Sequence, residues 1–486
     1  MTTPSSILPS AGEADAPFAA ASRIAGQWRA PGETVEIRDP YRGDVVGWVP
    51  VSTASDGDDA LDAARQGARE MAALPGYERA AILRRAAEEV HQRVARIGRV
   101  MARETGKAVS DCRTEVARAA DTLLLCAEEA VRIQGEHVPM DASPIGAGKI
   151  ALVMRFPVGV VAAITPFNGP VNLAAHKVGP AFAAGNAVVI KPSPKASLSA
   201  HLFVEAIVAA GVPDGAICSL FGDTVSAGLV ADPRVDFVSF TGSIPVGKAI
   251  QRSMGMKRAA LELGGVGPTF VHSDADLGAA AKACARNGYL LAGQSCVSVQ
   301  NVYVQRSVYR DFLAALEAEI DLIRFGDPLD PTTEVGTLID ETAATRVAGT
   351  VGRAVTAGAT LLRGGHRERA QLDATLLVDV GSDMDAVKDE IFGPVVTVQA
   401  YDDPAPLFRS ISESPYGLQC GIFTDSLELA KTAFRSLRTG GVIVNGTSRW
   451  RSDQMPYGGV KDSGIGREGP RFAVREMTEE RLLVIN

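Results

Sequence analysis

The sequence predicts an α/β protein of about three domains on mainly parallel sheets, and three observations predict it. The chain has 486 residues, 46% of them hydrophobic, with 49 glycines, which is enough to bury a sizeable core and divide into domains of ordinary size. From Ala151 the apolar runs ALVM, GVVAAI, AVVI and VDFVSF alternate with Gly/Pro breaks and Ala-rich stretches such as Ala196 to Gly211. A second alternation begins after Gly265. Strands joined by helical crossovers build parallel sheets covered on both faces.

The elements follow in chain order. The first twenty-odd residues are rich in Ala, Ser and Pro, with Ala-x-Ala-like spacing near Phe18 to Ser22. No basic stretch precedes them and no continuous apolar run supports cleavage, so they read as a loose leader on a cytoplasmic protein. From Ser55 to roughly Gly135, Ala81, Leu83, Ala86, Val90 and Val94 recur at helical spacing, which gives half-solvated helices. The run Val158 to Ile164, bounded by Arg155 and Pro166, is far shorter than the ~20 residues of a membrane helix and suits a buried strand. After Gly265 come a helix over Leu277 to Leu291, a strand over Asn301 to Val304 and a helix over Tyr309 to Ile320. The tail from Glu479 to Asn486 ends in RLLVIN, a strand-like run that needs a cover and is expected to pair with another subunit. The sequence shows no internal repeat.

Charge and cysteine usage exclude several functions. Lys and Arg number 49 against 57 Asp and Glu, a formal charge of −8. Such a surface offers no footprint for nucleic acid or acidic lipid, so neither is an expected partner. The cysteines at 112, 126, 218, 284, 296 and 420 are too scattered for a disulfide framework or a CxxC metal site. A reducing compartment and no bound metal are expected, and one thiol stands as chemically special.

Three segments carry candidate chemistry. Cys296, in Gly293-Gln294-Ser295-Cys296, closes a helical stretch just before a strand; it is either a small buried hydrophobe or a nucleophile held on rigid structure. Glu262 lies between Leu261 and Leu263, ahead of Gly264-Gly265. It either points into solvent at a strand end or sits among apolar side chains, where a raised pKa suits a general base near neutrality. Phe240-Thr241-Gly242-Ser243 runs on into a helix, a strand, tight turn and helix N-terminus able to receive a pyrophosphate, although it departs from GxGxxG.

Together these segments resemble the aldehyde dehydrogenase superfamily. The resemblance rests on motifs in fixed order: Thr165-Pro166-Phe167-Asn168, Gly185 to Ser193, FTGS, LELGG, GQSC, Glu390-Ile391-Phe392-Gly393-Pro394, Asn445, and Met455-Pro456-Tyr457-Gly458-Gly459 with Lys461 and Ser463-Gly464. It extends from about Val35 to the C-terminus. The separation of Glu262 and Cys296, 34 residues (296 − 262), also matches.

The fold it implies is a Rossmann-type cofactor domain (1–132 and 153–264), an α/β catalytic domain (265–463) and a small β oligomerisation element (133–152 and 471–486), in a homodimer or homotetramer. It implies that Cys296 attacks the aldehyde and that the Asn168 amide and the Cys296 backbone N–H hold the resulting oxyanion. Lys177 would favour the thiolate and Glu262 would activate the hydrolytic water. Because coenzyme A-acylating members generally lack a glutamate at that position, the expected product is a free carboxylate.

For the cofactor, Lys191 and Ser193 would meet the adenosine ribose, Ser243 the pyrophosphate, Glu390 the nicotinamide ribose and Phe392 the ring. Thr165, Pro166, Phe167, Gly242 and Leu263 complete that wall. Strict NAD users commonly carry Glu where this chain has Pro194, followed by Lys195, so the cofactor is expected to be NAD, with NADP tolerated.

The substrate is expected to be a short aldehyde, anionic or hydroxylated. Arg449 and Arg451 flank Trp450 just before Tyr457, where they either clamp an anion or pair with Asp453. Arg113 would add a second cation. The loop and tail look most like the lactaldehyde, phosphonoacetaldehyde and sulfolactaldehyde branch. Leu290 stands six residues before Cys296, where succinic semialdehyde enzymes often carry Arg, which ranks that substrate lower. A coenzyme A-acylating enzyme and a non-catalytic binding protein rank lower still.

Overall fold

The computed structural model describes residues 16–30 and 32–486. Its first sheet has eight strands, and five of them are parallel, in the order Arg258–Glu262, Phe237–Thr241, Val160–Ile164, Ala187–Lys191 and Ile217–Ser219. VVAAI, AVVIK and FVSFT are buried at every residue, as strands covered on both faces must be. The chain starts at the central strand Val160–Ile164, winds outward one way, then returns to lay Phe237–Thr241 on the other side. Between the carboxyl ends of those two strands lies a topological switch point, the crevice where such sheets bind ligands.

The helices read from the sequence are present. Ala54–Ala73 opens with a capping box, in which Thr53 Oγ1 accepts from the Asp56 N–H (3.2 Å) and Asp56 accepts from the Thr53 N–H (2.8 Å). Gly76–Gln92, Val94–Thr105 and Val109–Ala130 follow, packing with Asn172–Ala184 in the main core. Described residues contain no helix long and apolar enough to cross a membrane.

A second sheet has seven strands. Six are parallel, in the order Thr375–Val378, Val395–Tyr401, Asn301–Gln305, Thr269–Val271, Gln419–Phe423 and Gly441–Val444, with Thr360–Arg363 antiparallel at one edge. The helix Tyr309–Ile320 matches the sequence reading.

Three expectations are corrected. Residues 1–15 of the leader lie outside the described residues, but Phe18–Ala19 and Ser22–Ile24 are strands, with Ile24 and Ala20 in the core, so that part is not loose. The helix expected to reach Leu291 ends at Tyr289, because the next residues turn left-handed. The tail strand Thr478–Ile485 pairs along its whole length with Ile150–Pro157 of its own chain, and Glu136–Val138 completes that three-stranded sheet, in which the tail is an edge strand whose other side remains open to a further strand. Residues 471–476 belong to the helix Pro470–Glu476, ahead of that strand.

Candidate active site

A cavity of about 1400 Å³ opens at the switch point, between the two large sheets. Every site residue singled out from the sequence lines it except Arg113 and Lys177.

The Cys296 segment owes its position to a left-handed turn. Leu291 (φ 60°), Ala292 (φ 52°) and Gly293 (φ 68°) follow one another in the αL region. Only glycine adopts that region without strain, and the other two cost about 1 kcal/mol each. Gln294 holds the turn: its Nε2 donates to the Leu291 carbonyl (3.1 Å) and its Oε1 accepts from the Ile339 N–H (2.9 Å). The reversed chain delivers Cys296 to the cavity, while the other five cysteines are buried.

Around Cys296 the side chains form a connected set. The Tyr457 hydroxyl lies 3.1 Å from Cys296 Sγ. The Arg451 guanidinium stacks 3.9 Å above the Tyr457 ring, and its Nη2 donates to Glu468 Oε2 (3.1 Å). Lys177, buried, donates from Nζ to the other oxygen of Glu468 (3.0 Å) and to Thr241 Oγ1 (2.8 Å). The cation expected beside the thiol therefore serves Glu468 instead. Burial pushes the Cys296 thiol up to about 12, against the pull of the Tyr457 hydroxyl. At Glu468 burial also disfavours charge, but Lys177 and Arg451 outweigh it and hold the carboxyl down at about 2.

Glu262 ends the strand Arg258–Glu262, and both its carboxyl oxygens are buried without a hydrogen-bond partner. Burial, reinforced by the Glu468 charge, raises it well above the usual carboxylate range. The glycines of the neighbouring motifs make the room. A Cβ on Gly458 would lie 2.7 Å from Glu262 Oε1, and one on Gly264 would lie 2.3 Å from Glu390 Oε2.

Asn168, also in the cavity wall, follows the central strand of the first sheet and donates from Nδ2 to the Gln294 carbonyl (2.9 Å). That bond ties the Asn168 loop to the turn that carries Cys296.

The cofactor wall is formed by the strand ends at the switch point. Ser243 caps the helix Ile244–Ser253 without a side-chain capping bond, so the helix N-terminus faces the cavity. Thr165 Oγ1 is buried with no partner. Lys191 Nζ reaches Asp223 (2.8 Å), Ser193 caps a short turn beside Pro194, and Gly242 and Leu263 line the floor. Phe167 and Phe392 meet edge to face at 5.9 Å, with Pro166 alongside. Glu390 accepts from the Gly265 N–H (3.2 Å); burial pushes its carboxyl up to about 7, against that bond and Arg346. A helix N-terminus for phosphate, a partnerless hydroxyl and an aromatic pair fit a nicotinamide dinucleotide.

Beyond Cys296 the cations are not equivalent. Arg113 is exposed, with its stem over Gly98 of the neighbouring helix, and does not reach the cavity. Arg118, five positions on, does reach it, but Asp453 holds it by two bonds (3.0 and 2.7 Å), with His176 at 3.0 Å on the same carboxylate. Arg451 is engaged as described. Arg449 differs: its one side-chain bond is from Nη1 to Asn287 Oδ1 (3.4 Å), its Nε is buried without a partner, and it joins no ion pair among the described residues. Trp450 is half-exposed at the rim.

Glu468, Arg118 and Gln294 had no assigned role in the sequence reading. A charge inside the GREGPRF segment was the available signal for Glu468, and nothing local distinguishes it from a surface carboxylate.

The chain belongs to the aldehyde dehydrogenase family: the profile described as "Aldehyde dehydrogenase family" matches residues 28–483. It is accordingly an NAD(P)-dependent oxidoreductase acting on the aldehyde group. Among its relatives, 3-sulfolactaldehyde dehydrogenase of Priestia megaterium is 40% identical over 465 residues, 95% of this chain and 97% of the relative. The crystal structure of aldehyde dehydrogenase 21 from Physcomitrella patens in complex with the reaction product succinate superposes with a TM-score of 0.93 at 36% identity, covering 97% of this chain and 99% of that one. The NADP complex of NADP-dependent glyceraldehyde-3-phosphate dehydrogenase from Bacillus halodurans gives 0.94 at 35% identity, covering 96% and 99%.

Proposed function

We propose that this protein oxidises a short aldehyde bearing an anionic group to its carboxylic acid, with Cys296 as nucleophile, Asn168 as oxyanion donor and Glu262 as base. The thiol adds to the aldehyde carbon to give a thiohemiacetal, whose oxygen is stabilised by Asn168 Nδ2 and the Cys296 N–H. NAD(P)+, when bound, supplies the hydride acceptor that converts this adduct to a thioester. Glu262 takes a proton from water, the hydroxyl adds to the thioester carbon, and the carbon–sulfur bond breaks to release acid and thiol. Thr165, Lys191, Ser193, Ser243, Glu390 and Phe392 hold the cofactor in this reading. Pro194 stands where strict NAD users commonly carry Glu, which supports use of either dinucleotide.

The observation that carries the substrate class is Arg449, a cavity-lining guanidinium with donors left open and no ion pair among the described residues. Asp111, on the same cavity wall, offsets part of the Arg449 charge without forming an ion pair with it, and an anionic substrate group would complement the donors left open. The name of the Priestia relative is in keeping with a sulfonate there, and succinate in the Physcomitrella structure with a carboxylate. Of the two arginines around Trp450, only Arg449 is open to this task.

The three-domain division read from the sequence, with the limits at 152/153 and 471 moved to the ends of the strands Ile150–Pro157 and Thr478–Ile485, a cytoplasmic location and a homodimer or homotetramer remain part of this reading. The exposed Ile150, Met154 and Leu482 on the three-stranded sheet support the last.

The test is an aldehyde panel, with sulfolactaldehyde, phosphonoacetaldehyde and succinic semialdehyde against lactaldehyde and glycolaldehyde, at fixed NAD or NADP. Anionic members are expected to be preferred. Arg449→Ala is expected to lower kcat/KM for them by roughly 10- to 100-fold, the worth of a charge-assisted bond, and to spare the neutral members. An equal fall for both groups would overturn the anion assignment.

A further inference from the structure

Beside the Asn168 loop, in the wall of the cavity, lies a buried ion pair that none of the roles above uses. Lys107 follows Gly106 in the turn between the helices Val94–Thr105 and Val109–Ala130, and its side chain is 3% exposed. Its ammonium pairs with Glu115 and donates to the backbone carbonyl of Asn168 (3.1 Å). The other oxygen of Glu115 accepts from the N–H groups of Val171 (3.0 Å) and Asn172 (3.2 Å), at the start of the helix Asn172–Ala184. One ion pair thus grips the segment 168–172 at both ends, by its carbonyl and by its amides.

The same turn reaches the nucleophile from the other side. The Gly106 carbonyl accepts from the Thr337 N–H (2.9 Å), and the Thr337 carbonyl accepts from Gln294 Nε2 (3.4 Å), the side chain that holds the turn before Cys296. Asn168 Nδ2 also donates to the Gln294 carbonyl. The two elements that would form the oxyanion hole come from different sheets, and the Gly106–Lys107 turn contacts the supports of both.

A full charge is costly to bury unless each partner is satisfied, and an apolar core would hold a loop more cheaply. What an ion pair adds is direction: Lys107 fixes the Asn168 carbonyl, and with it the azimuth of the side chain on the same Cα. An oxyanion donor is effective only within a few tenths of an ångström of the developing charge.

We propose that Lys107, oriented by Glu115, is a positioning residue for the oxyanion hole and acts on catalysis through Asn168. The proposal rests on the oxyanion role assigned to Asn168 above. It predicts that disturbing Lys107 matters only while the Asn168 amide is there to be positioned.

The experiment is a double-mutant cycle on the pre-steady-state burst of NAD(P)H. Asn168→Ala is expected to slow the burst on the order of 10²–10³-fold, and Lys107→Met about 10-fold, with unchanged KM for the cofactor. In the double variant, Lys107→Met is expected to add less than about twofold, because the group it positions is gone. Glu115→Gln keeps an oxygen for the two amides while losing the charge, and is expected to repeat the pattern in milder form; it decides the matter if Lys107→Met does not fold. A normal burst in Asn168→Ala would overturn the oxyanion assignment itself. A slowed burst in Asn168→Ala with fully multiplicative Lys107 and Glu115 effects, or with none, would overturn the positioning role alone.

Discussion

Replacing Tyr457 with phenylalanine removes the hydroxyl 3.1 Å from Cys296 Sγ and leaves the ring under Arg451 in place. The bond matters most when sulfur is negative, because Tyr457 then donates to a thiolate in a buried site. Burial has already raised the thiol to about 12, with the Tyr457 bond as its largest opposing influence. A hydrogen bond to a charged group is worth about 1.5–3 kcal/mol, and one pKa unit corresponds to about 1.4, so its loss raises the thiol by roughly one to two units. Below the pKa each unit cuts the thiolate population about tenfold, while the more basic thiolate recovers about half of that on a logarithmic scale. Alkylation of Cys296 by iodoacetamide, followed between pH 8 and 10.5, is therefore expected to slow by roughly 3- to 10-fold in Tyr457→Phe. Rates equal to or above those of the unmodified protein across that range would refute the reasoning.

Two further outcomes follow from the carboxylates. Glu262→Gln is expected to keep the burst of NAD(P)H but lose steady turnover by about 10²–10⁴-fold; because burial raises Glu262, turnover before substitution rises with pH as that group ionises, and the variant loses this rise. Equal loss of burst and turnover would contradict a role confined to hydrolysis. Glu390, held up at about 7, folds more readily in its neutral form, so its stabilisation is present below the unfolded pKa and is lost as pH rises through 7. Glu390→Gln stays neutral throughout. The apparent Tm of the variant is expected to gain on that of the unmodified protein between pH 4.5 and 8, by up to about 3 kcal/mol in stability, and a difference flat with pH would refute this.

The legible features share one property: their chemistry sits in contiguous residues. Strands such as VVAAI and AVVIK read as buried on both faces because they contain few polar groups. GQSC, LELGG, FTGS and MPYGG each combine a reactive or binding group with the small residues that make room for it, so the motif carries its own geometry. Gly264 and Gly458 show why, since any Cβ there would strike Glu390 or Glu262.

The illegible features depend on where faces point. Arg113 and Arg118 lie five positions apart on one helix, about 140° around its axis, so one of them meets the cavity while the other covers Gly98. Lys177 matches a motif position, yet its ammonium goes to Glu468, which lies 291 residues further along the chain. The helix stop at Tyr289 was hidden because Leu291 and Ala292 are ordinary helix formers. Their left-handed conformation is imposed by Gln294, Ile339 and the close approach of Gly293 to Gly393.

By itself the sequence determined the α/β architecture and the family resemblance, because periodicity and short motifs encode local order, and the resemblance in turn implies which residues are proposed to attack, stabilise the oxyanion and activate water. Only the tertiary structure decided which cation is open to a substrate, which carboxylate is left without partners, and which buried pair grips the oxyanion loop. Those depend on long-range contacts, in which Glu468 claims Lys177 and Arg451, Asp453 claims Arg118, and Arg449 is left with no ion pair among the described residues. Such competition for partners is settled by distance in the folded chain.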